Sequence, residues 1–135
     1  MLSFLLIDED AFNKFLTRAL ITHLKVNVEV ESFRDPEEAF TQIELHTRNL
    51  QSETIILLDI NLPRMGGWDF IDRFKKLPQS IRSMYHIYIL SSYVDWRDKS
   101  KLTSDPSIEG FFQKPLEKEL LDEVIASKIM VGEVS

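Results

Sequence analysis

The sequence predicts an α/β domain built as a doubly wound, five-stranded parallel sheet in the order 2-1-3-4-5. Three observations lead there. Strand-like and helix-like segments alternate along the chain as five units; such alternation gives a parallel sheet with helices on both faces. The third strand-like run, Thr54 to Leu58, is apolar throughout, as a central strand must be. The second alternates Val26, Val28 and Val30 with Asn27, Glu29 and Glu31, as an edge strand does.

Taken in order, Ser3 to Ile7 is a short apolar run that ends at Asp8. A helix follows with Asp10 as its N-cap, and Phe12, Phe15, Leu16, Ala19, Leu20 and Leu24 are expected on its inner face. After the second strand, Asp35 caps a helix that has Pro36 at its first position and Glu38 placed for a capping box. Its apolar side is Ala39, Phe40 and Ile43. After the third strand, Trp68 to Leu77 reads as a helix with Phe70, Ile71, Phe74 and Leu77 inward, stopped by Pro78. Ile87 to Leu90, preceded by Tyr85 and His86, is the fourth strand and ends at Ser91-Ser92. A shorter, polar helix runs from Asp95 to Thr103. Ile108 to Gln113 is the fifth strand, ending at Lys114-Pro115. The last helix covers Leu116 to Met130 and turns Leu120, Leu121, Val124 and Ile125 inward.

The chain has 135 residues, which fits one domain, 1–135, with no output domain expected. It contains no cysteine, so disulfides and thiolate metal sites are excluded. Neither a signal peptide nor a membrane-length apolar run is present, and the expected location is cytoplasmic. Net charge is −6, from 22 acidic and 16 basic residues, without the basic stripe of a nucleic-acid binder. No membrane partner is expected either.

The residues that close the strands carry the chemistry. Asp8 and Glu9 follow the first strand, Asp59 the third, Ser91 and Ser92 the fourth, and Lys114 the fifth. In a parallel sheet these ends share one edge, with neighbouring strands about 4.8 Å apart, and ligands of open α/β sheets bind there. Converging carboxylates repel, and Mg²⁺, a hard cation with oxygen ligands, would relieve them. Carboxylate, dication, hydroxyl and ammonium together suggest phosphoryl transfer. Asp59 would be the nucleophile, and the metal and Lys114 would neutralise charge on the transferring oxygens.

The pieces LLIDED, LLDINLPRMGG, YILSS and FFQKP, in this order across the chain, resemble the receiver domain of response regulators in two-component signalling. The resemblance implies a CheY-like, flavodoxin-like (βα)5 fold. It implies that Asp59 accepts a phosphoryl group and that Asp8 and Glu9 hold Mg²⁺ with Asp59. The backbone carbonyl of Asn61 would complete the metal site. Ser91 would be the switch hydroxyl, with small Ser92 beside it, and Phe111 would be the aromatic switch residue. Lys114 would be the family lysine, with a cis bond before Pro115. Glu9 departs from the commoner aspartate, and Gly66-Gly67 from the commoner acid-glycine pair. Asp105-Pro106 falls where the fourth helix of many receivers continues.

The implied partners are a sensor histidine kinase or a histidine phosphotransfer protein, and a downstream protein not named by the sequence. The expected state is a monomer or a phosphorylation-dependent dimer. Two rival readings use the same residues. In a haloacid-dehalogenase-type phosphatase Asp8 would be the nucleophile and Asp10 the acid-base. In a non-phosphorylated receiver-like interaction module the pocket would serve no transfer. His23, His46 and His86 have no metal-site spacing.

Overall fold

Parity along the strands fixes the architecture. In the first strand, β1 (Leu2–Ile7), Leu5 and Ile7 join one hydrophobic cluster while Leu2, Phe4 and Leu6 join the other. The same division splits β3 (Thr54–Leu58) and β4 (Tyr85–Ser91), so the sheet is buried on both sides. A computed structural model describes residues 2–23, 28–46, 53–61, 66–91 and 96–134, and their side chains except at 46, 96–98 and 128–134. The readings made for Leu24, Val26, Asn27, Pro63, Ser92 and Asp95 fall outside the described residues.

All strand pairs are parallel, and the order is β2-β1-β3-β4-β5, as expected from the sequence. The edge strands are β2 (Val28–Phe33) and β5 (Ile108–Gln113). Glu29 and Glu31 of β2 are exposed, in keeping with its alternating pattern. One face is covered by α2 (Pro36–His46), α3 (Gly67–Phe74), the single turn α4 (Gln79–Arg82) and α5 (Trp96–Ser104). Phe40, Ile43, Phe70, Ile71, Phe74 and Leu102 fill that layer. The other face carries α1 (Ala11–Thr22) and α6 (Lys118–Val134), with Ile21, Leu121, Val124 and Ile125 buried beneath them.

Three expectations are corrected. The inner line of α1 is Asn13, Thr17 and Ile21, with Leu20 packed against the core beside it as expected, while Phe12 and Phe15 are 70% and 68% exposed. The helix is turned by about one residue, some 100°, from the orientation that apolar spacing predicts. Its start explains why: Asp10 caps it through the amides of Phe12 and Asn13, and Asn13 bonds inward to Asp8. The segment read as one helix from Trp68 to Leu77 ends at Phe74, and Pro78 then opens α4 by accepting from the amides of Ile81 and Arg82. The last helix starts at Lys118, because Leu116 enters the core ahead of it.

Gly67 pins α3 against the end of β3. A Cβ there would lie 2.7 Å from the Cα of Ile60 and 3.0 Å from the carbonyl oxygen of Asp59. Both are backbone atoms and cannot move aside singly. Gly67→Ala is therefore expected to lower stability by roughly 1–3 kcal/mol, the usual range for overpacking, read as a lower urea midpoint with an unchanged slope.

Candidate functional site

The sheet ladder runs one residue past several strands, and those extra residues form the site. The Asp8 amide donates to the Phe33 carbonyl at 3.0 Å, and the Asp59 amide to the Ile7 carbonyl at 2.9 Å. The Lys114 amide donates to the Ser91 carbonyl at 2.8 Å. Backbone bonding thus fixes the positions of Asp8, Asp59 and Lys114 before any side chain acts.

Their side chains then meet. Lys114 Nζ lies 2.9 Å from Asp8 Oδ2 and 3.2 Å from Asp59 Oδ2. Asp8 and Asp59 are buried, and the lysine side chain is 10% exposed. Burial raises the Asp59 carboxyl above its usual 3.8, opposed by the Asn61 amide and Lys114 and reinforced by the charge of Asp8. Burial works against the charge of Lys114, yet its bonds to Asp8 and Asp59 outweigh it and raise its pKa above 10.5. A simple ion pair would lower the acid as it raised the base. Here one ammonium serves two acids, so it is held strongly while Asp59 receives only a share of it.

Asn61 connects Asp59 to Ser91. Its amide donates to Asp59 Oδ1 at 3.0 Å, and its Nδ2 donates to Ser91 Oγ at 2.9 Å across the gap to β4. Ser91 is fully buried. Phe111, paired with Ile89 in β5, is half-buried and packs against the cluster on the α5 face. Glu9 is exposed and is not brought into the buried group. Among the described residues no three His, Cys, Asp or Glu side chains are arranged to hold a metal ion. His86 lies in β4 with Nδ1 2.6 Å from Glu109, among strand residues as expected. The Lys114–Pro115 bond is cis.

Sequence reasoning missed Asn13. Its Nδ2 donates to Asp8 Oδ2 at 2.7 Å in a buried bond. The available signal was its position one turn into a helix that starts beside Asp8, but the aromatic spacing of Phe12 and Phe15 masked it. Nor was the side-chain bond from Asn61 to Ser91 foreseen.

A family model for the response regulator receiver domain matches residues 4–126. The chain belongs to that family. Among curated proteins this receiver domain is similar to the transcriptional regulatory protein FlgR of Helicobacter pylori, 26% identical over 119 residues. The match covers 88% of this chain and 28% of FlgR, so the receiver domain spans less than a third of that relative. It is also similar to a response regulator receiver protein from Dyadobacter fermentans (25% identity, TM-score 0.85, covering 96% of this chain and 98% of that one). A two-component response regulator from Cytophaga hutchinsonii has 27% identity and a TM-score of 0.81, covering 96% of this chain and 97% of that one. No helix among the described residues is long and apolar enough to cross a membrane.

Receiver domains typically bind Mg²⁺ at the acidic pocket. The residues present fit such an ion. Two buried carboxylates share a single ammonium, which leaves residual negative charge, and their oxygens are the hard donors Mg²⁺ prefers.

Because folding raises the Asp59 pKa, the folded state holds more protons than the unfolded chain just above pH 3.8, and stability falls as pH rises through that window. Asp59→Asn is therefore expected to unfold at higher urea than wild type at pH 7, with the gain vanishing near the acid end of the window. The Lys114 contribution has the opposite sense: it is complete below pH 10.5 and is lost as pH rises through the higher folded value. Lys114→Met leaves two carboxylates without their cation. It is expected to cost on the order of 3 kcal/mol at pH 7, and urea unfolding should show added Mg²⁺ offsetting part of that loss.

Proposed function

We propose that this receiver domain accepts a phosphoryl group on Asp59 from a phosphohistidine donor and signals by the change that follows. The observation that carries the reading is the pair of buried carboxylates, Asp8 and Asp59, sharing Lys114 at the carboxyl edge of the sheet. An Asp59 carboxylate oxygen bonds to phosphorus as the bond from phosphorus to the donor nitrogen breaks, and the imidazole leaves with that electron pair. The product is an acyl phosphate. Lys114 lies within reach of the new oxygens and stabilises charge that grows in the transition state. A Mg²⁺ ion held by Asp8, Asp59 and the Asn61 carbonyl, with Glu9 at the rim, would supply further charge neutralisation.

The read-out follows from the same contacts. Once Asp59 carries phosphate, the Ser91 hydroxyl gains an anionic acceptor that competes with its bond to Asn61. Turning toward the phosphoryl group, Ser91 shifts the end of β4, and Phe111, paired with Ile89 of that strand, rotates inward. That biases two states of the α5–β5 face. Downstream contact with a protein target, or onward phosphate transfer, takes place from that face. Donor approach is favoured on the side of α1, where Phe12 and Phe15 stand exposed beside the acidic residues.

The phosphatase alternative asks Asp10 to act as the acid-base. Its Oδ1 instead caps α1 through two backbone amides, and the comparisons lend it no support. The discriminating experiment uses Mg²⁺, acetyl phosphate and intact-protein mass spectrometry. Wild type is expected to gain the mass of one phosphoryl group, Asp59→Asn to gain none, and Asp10→Asn to keep the gain. Lys114→Met should slow the gain by about a hundredfold. Sustained hydrolysis that requires Asp10 would overturn the proposal.

A further inference from the structure

We propose that Asn13 is a positioning residue for Asp8: it fixes which oxygen of that carboxylate is offered to a bound divalent cation. The inference rests on the phosphoryl-acceptor reading above. It begins from the inverted polarity of α1. The helix turns Asn13 and Thr17 into the protein, 5% and 2% exposed, and leaves Phe12 and Phe15 in water. An asparagine in such a slot is stable only if its amide is bonded.

The bond it makes is specific. Asn13 Nδ2 donates to Asp8 Oδ2 at 2.7 Å, and Lys114 Nζ lies 2.9 Å from the same oxygen. Asp8 Oδ1 accepts from the Asp10 amide at 2.8 Å. An ionised carboxylate has about four acceptor positions, two on each oxygen. Both positions on Oδ2 are therefore occupied, and the open one lies on Oδ1. A cation entering the pocket finds Oδ1 available without displacing Lys114.

Without Asn13 the choice rests on the Asp10 amide at Oδ1 and on Lys114 at Oδ2 alone. The terminal carboxylate torsion is broad, and Lys114 is itself shared with Asp59. A small pocket lies beside the bond, and Lys14 and Thr17 line it together with Leu6, Leu57 and Leu90. Its three leucines offer the carboxylate no donor, and neither Lys14 nor Thr17 has the fixed planar amide of Asn13.

The test compares Mg²⁺ binding by calorimetry with urea unfolding in chelator, for wild type, Asn13→Leu and Asn13→Ala. Alanine only enlarges a pocket that already exists, so that variant keeps the question open to measurement if leucine disturbs folding. A positioning role predicts folded variants whose Mg²⁺ dissociation constants rise about tenfold, the lower end for loss of a residue that orients a metal ligand. Their phosphorylation by acetyl phosphate at limiting Mg²⁺ slows in parallel and recovers at saturating Mg²⁺. Wild-type affinity in a folded Asn13→Ala protein overturns the inference and leaves the phosphoryl-acceptor reading intact. A wild type that binds no Mg²⁺ and takes no phosphoryl group overturns both.

Discussion

The Lys114 ammonium, 2.9 Å from Asp8 and 3.2 Å from Asp59, is the contact on which the rest of the pocket depends. Two carboxylates this deeply buried would otherwise repel each other without compensation. Their desolvation is tolerated because one cation serves both. That arrangement also leaves the pocket one positive charge short, and in the proposed function this shortage is what draws a dication and then a phosphoryl group.

Nothing in the local sequence around Lys114 could place it there. Three strands must end on one edge, in register, with the ladder continuing to the Asp8 and Asp59 amides. The register in turn rests on the parity of apolar residues in β1, β3 and β4, since a slip of one residue would turn each strand inside out. Core packing and site geometry are therefore one constraint. The close approach of Gly67 to Ile60 extends it to α3, whose first turn abuts the carbonyl that follows the Asp59 side chain.

Much of this was legible in the sequence for a physical reason. Strand burial is a two-residue code, so Thr54 to Leu58 and Val28 to Glu31 announce centre and edge by composition alone. The strand ends then give Asp8, Asp59, Ser91 and Lys114 by topology. The helix faces were less legible. Phe12 and Phe15 follow the apolar period, but the N-cap at Asp10 and the pull of Asp8 on Asn13 set the rotation of α1 instead. Side-chain bonds between one strand end and the next, such as Asn61 to Ser91, depend on distances across the sheet that no local pattern encodes. The placement of Glu9 at an exposed position is of the same kind.

The inverted α1 has a consequence for how firmly that helix is attached. Of its side chains only Ile21 is a large apolar one with no exposure, with Leu20 partly buried beside it; Asn13 and Thr17, also buried, are polar. Apolar contact with the sheet is therefore modest, and the N-terminal half of α1 is tethered through the Asp8 carboxylate. Regions held by few apolar contacts open most readily in native-state hydrogen exchange. In this domain the opening of the first turns of α1 thus breaks the Asn13 bond to Asp8, so the helix and the pocket share one contact.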